Sequence, residues 1–128
     1  MLKPLFPVAL LLLLISSAPS PAAGGSSVFC NRYHYTAGDP FAISLAYVLS
    51  DLVVSGPARL GQDYYNISPY PNAFAYGHSS CSGNLTAGDC SYCLRSAVGV
   101  VNKSCPMAIG GGAALGNCGV RYEQSPFV

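Results

Sequence analysis

The chain has 128 residues, of which 51% are hydrophobic and only 9% are charged, with six Lys and Arg against five Asp and Glu. Nucleic-acid-binding proteins need clustered Lys and Arg, and disordered chains contain few apolar residues. This composition therefore argues against both classes. A chain of this length is expected to form one domain.

The first 24 residues follow the order of regions that is typical of a secretory signal peptide. Lys3 is the only charged residue among the first 31, and an apolar run from Val8 to Ile15 precedes small and polar residues. This run is shorter than the roughly twenty residues that a membrane-spanning helix needs. We therefore predict that residues 1–24 are a signal peptide, residues 25–128 are a secreted domain, and no membrane span remains after cleavage; an uncleaved anchor is the alternative.

The first half of the predicted mature domain contains one clear helix. Residues 24–27 are expected to form a short flexible lead-in. Asp39 and Pro40 are typical first residues of a helix, and apolar residues then recur at helical spacing. This pattern predicts a helix over 40–54 that ends at Gly56 and Pro57, and the proline-containing residues 61–72 are expected to form a loop.

The second half contains one more helix and three candidate strands. Thr86 and Asp89 have the spacing of a capping box, which predicts that a helix begins at Thr86. Strands are expected over 73–80, 108–115 and 118–123. The glycines at 110–112 weaken the second of these predictions, because glycine is disfavoured inside strands.

Three Asn-x-Ser/Thr triplets are compatible with passage through the secretory pathway. They begin at Asn66, Asn84 and Asn102. Asn84 is the preferred acceptor, because Pro69 directly follows the first triplet and a cysteine closely follows the third.

Six cysteines stand at positions 30, 81, 90, 93, 105 and 118. Cys90-x-x-Cys93 could belong to a zinc site or to a redox pair near a helix start, or all six cysteines could form structural disulfides. The last interpretation is favoured, because there is no second Cys-x-x-Cys pair and secreted thiols tend to oxidise. Six cysteines allow fifteen pairings, and their spacing leaves that choice open.

The spacing Cys81-x8-Cys90-x2-Cys93, followed by Cys105 and Cys118, resembles that of the plant ginkbilobin-type cysteine-rich (stress-antifungal) domain. That domain occurs in ginkgo-seed antifungal protein and in cysteine-rich receptor-like secreted proteins. Further matching residues are Cys30-Asn31, Asp39-Pro40-Phe41, Ala75-Tyr76-Gly77, Ala108-Ile109-Gly110 and Arg121-Tyr122-Glu123-Gln124. The resemblance implies an α+β fold with an antiparallel sheet of about five strands packed with two helices. It also implies three disulfides, namely Cys30–Cys105, Cys81–Cys90 and Cys93–Cys118.

The resemblance also implies a mannose-binding site built from an Asn, an Arg and a Glu. The Asn corresponds to Asn31 and the Glu to Glu123, whereas the Arg position is occupied by Gly112. Arg121 and Arg32 are the candidate replacements for the missing guanidinium. The alternatives are that Asn31 only stabilises a turn and that Glu123 is only paired with Arg121.

The function implied is that of a secreted plant defence or stress protein of the apoplast that binds a cell-wall or fungal mannose-type glycan and is antifungal. The alternatives are a module that docks to receptor-like kinase ectodomains or other extracellular proteins, and a stable domain without a retained site. No enzyme motif is recognisable, so we expect no catalysis, no cofactor and no metal.

Overall fold

The computed structural model describes residues 25–127, in which two helices pack on one face of a five-stranded antiparallel sheet. The helices are α1 (Phe41–Ser55) and α2 (Ala87–Ser104), and short 3-10 turns follow α1 at Gly56–Ala58 and Leu60–Gln62. The strands are β1 (Ser27–Cys30), β2 (Asp63–Ile67), β3 (Tyr76–Cys81), β4 (Gly110–Leu115) and β5 (Cys118–Glu123). Their spatial order is β1-β4-β5-β3-β2. The α+β architecture implied by the resemblance is confirmed.

Helix α1 forms the centre of the core, and its predicted extent is confirmed to within one residue at each end. The Asp39 carboxylate accepts a hydrogen bond from the Phe41 amide at 2.9 Å, which stabilises the first turn. Phe41, Val48 and Leu52 are fully buried. The stretch Phe41–Ala58 is long and apolar enough to cross a membrane by length and composition. In this fold, however, its buried stripe packs against the sheet, as in the core helix of a globular domain.

Helix α2 begins where the capping pattern predicts. The hydroxyl of Thr86 accepts a hydrogen bond from the Asp89 amide at 3.0 Å. Leu94, Ala97 and Val101 are fully buried at helical spacing. The predicted start and apolar face of this helix are therefore confirmed.

Neither edge strand was predicted from the sequence, and the expectation of a loop over 61–72 is wrong. The expected loop over 61–72 contains β2, in which Tyr64 and Asn66 point towards the helices while the other three residues are exposed. The sequence pattern hid this strand because its inward residues are polar or amphipathic. Strand β1 begins within the expected flexible lead-in, and all four of its residues are exposed, so no burial alternation marks it.

Strand β3 begins later than the sequence pattern suggests. The prediction placed its start at residue 73, whereas the strand begins at Tyr76. Ser68 closes the preceding turn, because its amide donates to the Ala75 carbonyl and its hydroxyl accepts from the Ala75 amide, both at 2.9 Å. The prolines at 69 and 71 therefore lie in the connection between β2 and β3.

Three disulfides join the helical layer to the sheet. Cys30–Cys105 connects β1 to the end of α2, Cys81–Cys90 connects β3 to the first turn of α2, and Cys93–Cys118 connects α2 to β5. These are the pairs that the resemblance implies. Because Cys90 and Cys93 are bonded to different partners, they form neither a zinc site nor a redox pair in this structure. Among residues 25–127, no group of three His, Cys, Asp or Glu side chains is placed to hold a metal ion.

A polar cluster fastens the edge strand β2 to α1. The Asp51 carboxylate accepts hydrogen bonds from the Tyr64 hydroxyl at 2.6 Å, the Asn66 amide at 3.0 Å and the Ser55 hydroxyl at 2.8 Å. Burial raises the pKa of Asp51, but these hydrogen bonds outweigh burial and leave the pKa below its ordinary value. Asn66 also donates to the Val48 carbonyl at 3.1 Å. A glycan on Asn66 would break both of its contacts, so the structure argues against this acceptor.

Helix α1 packs closely against β3 at Gly77, which allows a direct prediction. A methyl group at this position would collide with Asn66 and Val48 and would lie 3.1 Å from Leu52. We expect Gly77→Ala to lower the free energy of unfolding by about 1–3 kcal/mol, measured by urea denaturation. The matched control is Gly99→Ala at an exposed position of α2, where the added methyl meets nothing within 4 Å. The control should raise the free energy of unfolding by up to about 1 kcal/mol. An equal effect of the two substitutions would contradict the close packing of α1 against Gly77.

Candidate functional site

The face of the sheet opposite the helices is open, and one row of side chains crosses all five strands. Phe29 pairs with Gly112, Gly112 with Arg121, Arg121 with His78, and His78 with Tyr65. Since paired residues in neighbouring strands project from the same face, the row brings two aromatic rings, a guanidinium and an imidazole together. We call this set the cross-strand row.

Asn31 and Glu123 lie beside the cross-strand row, on either side of Gly110. The backbone N–H of Asn31 donates to the Gly110 carbonyl at 2.8 Å, and Gly110 is the register partner of Glu123. A side chain at position 110 would collide with the Glu123 carboxylate, so glycine makes room for that group. The Asn31 side-chain oxygen accepts from the Tyr33 amide at 2.8 Å, which is the turn contact considered as an alternative.

Arg121 connects Glu123 to the cross-strand row. Its Nε donates to a carboxylate oxygen of Glu123 at 3.0 Å, and 41% of its side chain is exposed against 19% for Glu123. The guanidinium lies 4.2 Å from the centre of the Phe127 ring and 5.9 Å from that of Phe29. These contacts hold the cation over the open face, where it can meet a ligand.

Gly112 is covered by the Phe29 ring. A side chain at position 112 would collide with that ring and would lie 3.0 Å from the Val120 carbonyl oxygen. Phe29 nevertheless remains 49% exposed. The position that carries Arg in the resembled site is thus occupied by a neighbouring aromatic ring, and the register partner Arg121 supplies a guanidinium one strand away.

Arg32, the other candidate replacement, is engaged elsewhere. Its guanidinium donates to the Tyr33 hydroxyl at 3.0 Å and lies 5.0 Å from the centre of the Tyr33 ring. The structure therefore brings Arg121 and Glu123 to one face, sets the Asn31 backbone beside Gly110, and directs Arg32 towards Tyr33.

The histidine end of the cross-strand row is not evident from the sequence. His78 Nε2 lies 2.7 Å from an Asp63 carboxylate oxygen, and the imidazole stacks on Tyr65 with ring centres 4.0 Å apart. The residues lie on β2 and β3, and the sequence offered little signal because β2 was expected to be a loop. Within β2, Tyr64 faces the core side and Tyr65 the open face.

The two remaining glycosylation candidates are exposed. Asn84 lies in the turn before α2, and Asn102 lies near the end of that helix. The proximity of Asn102 to a cysteine therefore does not bury it. Both sites lie off the open face of the sheet and stay predictions.

Comparison with known proteins identifies the family. A sequence profile described as "Salt stress response/antifungal" matches residues 29–125. The chain is 33% identical to antifungal protein ginkbilobin-like protein 1 of Picea glauca, with 87% of this chain and 79% of the relative covered. It is 31% identical to antifungal protein ginkbilobin-2 of Ginkgo biloba, over 95% of this chain and 90% of the relative.

A solved structure matches the fold as well. The tandem DUF26 ectodomain of the cysteine-rich receptor-like protein PDLP5 from Arabidopsis thaliana superposes with a TM-score of 0.71 at 26% identity, covering 80% of this chain. This chain spans about half of that ectodomain, with 50% covered. The match thus relates the domain to one part of a larger extracellular protein.

The contact between Phe29 and Gly112 yields a stability prediction. We expect Gly112→Ala to lower the free energy of unfolding by about 1–3 kcal/mol, because the added methyl displaces the Phe29 ring. In a Phe29→Ala background the same change should cost less than about 1 kcal/mol, since only the Val120 contact remains. Urea denaturation of the wild type, both single variants and the double variant measures this coupling. Additive effects of the two changes would show that the ring does not cover Gly112.

Proposed function

Because the chain belongs to the salt stress response/antifungal family, we propose that it is a secreted plant defence protein that binds a mannose-type glycan on the open face of its sheet. The observation that carries this proposal is the position of Arg121. It is the register partner of Gly112, it is bonded to Glu123, and it shares their face of the sheet. Arg121 is thus placed to supply the cation that Gly112 lacks.

The chemistry of the three side chains fits sugar hydroxyls, which both donate and accept hydrogen bonds. A guanidinium has five N–H donors, and the contact with Glu123 uses the Nε donor. A carboxylate accepts at two oxygens, and Asn31, whose backbone is bonded to Gly110, would add its side-chain NH2 as a donor. Hydrogen bonds to charged groups are roughly twice as strong as neutral ones, so the Arg121–Glu123 pair would dominate recognition.

The exposed aromatic rings complement these polar groups. The Phe29 and Phe127 rings both lie close to the Arg121 guanidinium. A pyranose ring has an apolar face formed by its C–H groups, and an aromatic ring offers a matching apolar surface. We propose that Phe29, whose ring covers Gly112, carries the apolar face of the sugar.

We further propose that residues 1–24 are removed as a signal peptide and that residues 25–128 act in the apoplast as a ginkbilobin-type domain. The relatives named antifungal proteins and the receptor-like ectodomain support an extracellular binding role and give no reason to propose catalysis. The mass of the chain secreted from a plant-cell host tests the cleavage, and retention of the first 24 residues would contradict it.

Binding to yeast mannan tests the glycan site. We expect saturable binding by the full chain, secreted with its disulfides formed. Glu123→Gln and Arg121→Gln should each weaken it by about 10-fold to 150-fold, the equivalent of about 1.5–3 kcal/mol for a lost charged hydrogen bond. An exposed ion pair contributes only about 0–1 kcal/mol to stability, so both variants should remain folded by circular dichroism.

Arg32→Gln is the matched control, because Arg32 contacts Tyr33 instead of Glu123. It should bind mannan with the affinity of the wild type. If Arg32→Gln abolishes binding while Arg121→Gln does not, the assignment of Arg121 is wrong. If the wild type does not bind mannan or mannose, the proposed glycan function is wrong.

The exposed side of α1 favours a second candidate function, docking to an extracellular protein such as a receptor-like kinase ectodomain. Ile43 is 66% exposed and Val54 74% exposed, and an apolar groove of about 630 Å³ separates α1 from α2. Plasmodesmata-located protein 7 of Arabidopsis thaliana is a relative at 26% identity, and this chain spans 41% of it.

The docking function predicts binding to at least one member of a panel of purified receptor-like kinase ectodomains. Ile43→Asp and Val54→Asp should weaken that binding at least about tenfold without unfolding the domain, because both side chains are exposed. Arg121→Gln is the control and should leave it unchanged. Binding that is insensitive to both aspartates would exclude this helix face.

A further inference from the structure

A groove of about 220 Å³ lies on the open face of the sheet, beyond the Arg121–Glu123 pair. The Phe29 ring and Arg121 line one side of it, and His78 lines another. The backbone at Gly119 and Ala114 forms its base, where the two residues are register partners in β5 and β4. The groove therefore has aromatic and charged walls. Its base, the Ala114–Gly119 pair, lies two residues along each strand from the Gly112–Arg121 pair.

The groove is continuous with the proposed glycan site. Arg121 lines the groove and also donates to Glu123. Phe29 covers Gly112 and forms a wall of the groove. Glu123 and Gly119 are four residues apart on one strand, which separates them by about 13 Å. One pyranose ring does not span that distance, whereas two or three linked rings do.

The polar groups around the groove are held in place before any ligand arrives. The Asp63 carboxylate lies 2.7 Å from His78 Nε2, and the Tyr65 ring stacks on a face of the imidazole with ring centres 4.0 Å apart. Ser80 adds a hydroxyl to the lining. An imidazole fixed by two neighbours loses little conformational freedom on binding, which favours recognition of a polar ligand.

We propose that this groove is a second sugar subsite, so that the ligand is an oligosaccharide of at least two linked hexoses. This inference rests on the proposed glycan function and deepens it. One ring lies at Arg121 and Glu123 over Phe29, and the next ring enters the groove between Phe29 and His78. Arg121 contacts both rings.

Calorimetric titration of the full secreted chain with mannose and with α-linked mannotriose tests the proposal. We expect the wild type to bind mannotriose at least about tenfold more tightly than mannose, since the second ring adds hydrogen bonds and apolar contact. Gly119→Val fills the groove, and its Cβ would meet only the ordinary contact distance of 3.4 Å to the Ala113 carbonyl oxygen. It should remove the preference for mannotriose while changing the mannose affinity less than about twofold.

Ala114→Leu fills the same groove from β4 and keeps the test decisive if Gly119→Val fails to fold. Gly99→Ala, on the far side of the molecule, is the control and should bind both sugars like the wild type. Equal affinity of the wild type for mannose and mannotriose would overturn the subsite and leave the Glu123 site standing. Loss of both sugars together in folded Gly119→Val and Ala114→Leu would overturn the two-subsite arrangement, because mannose itself would then depend on the groove. Failure of the wild type to bind either sugar would overturn both proposals.

Discussion

Strand β4 presents three consecutive glycines to its neighbours, and the arrangement of both sheet faces depends on their lack of side chains. On the core side, Gly111 lies against the Cys105 sulfur and the Tyr122 ring, each within 3.3 Å of where a Cβ would stand. On the open face, Gly110 makes room for the Glu123 carboxylate and Gly112 for the Phe29 ring. Glycine is intrinsically unfavourable in a strand, so contacts on both faces must offset its conformational cost.

The two faces of the sheet serve different purposes. The helices bury one face, where three disulfides hold α2 against β1, β3 and β5. Tyr122 is buried there, its hydroxyl donates to the Ala108 carbonyl at 2.9 Å, and burial raises its pKa to about 12. Within residues 25–127, no helix covers the other face, which carries the charged and aromatic groups. A rigid, cross-linked layer thus supports an exposed surface whose side chains are already oriented for binding.

The sequence predicted the elements that bury a periodic apolar face or carry a distinctive cap. Both helices have these features, with Asp39 and Thr86 at their starts. The edge strands lack them: β1 is exposed along its whole length, and β2 turns Asn66 towards a polar cluster with Asp51. A strand with polar residues facing the core and apolar residues facing solvent reverses the pattern on which strand prediction depends.

For the candidate site, the sequence by itself determined the residue types, the cysteine framework and the substitution at Gly112. It could not determine which cation lies next to Glu123, because Arg32 and Arg121 were both eligible. The tertiary structure decided this: Arg121 lies opposite Gly112 and donates to Glu123, whereas the Arg32 guanidinium donates to Tyr33. The approach of Phe29 to Gly112 and the pairing of His78 with Asp63 each join two separate strands. Such contacts depend on how strands distant in sequence are ordered and aligned, which only the tertiary structure decided.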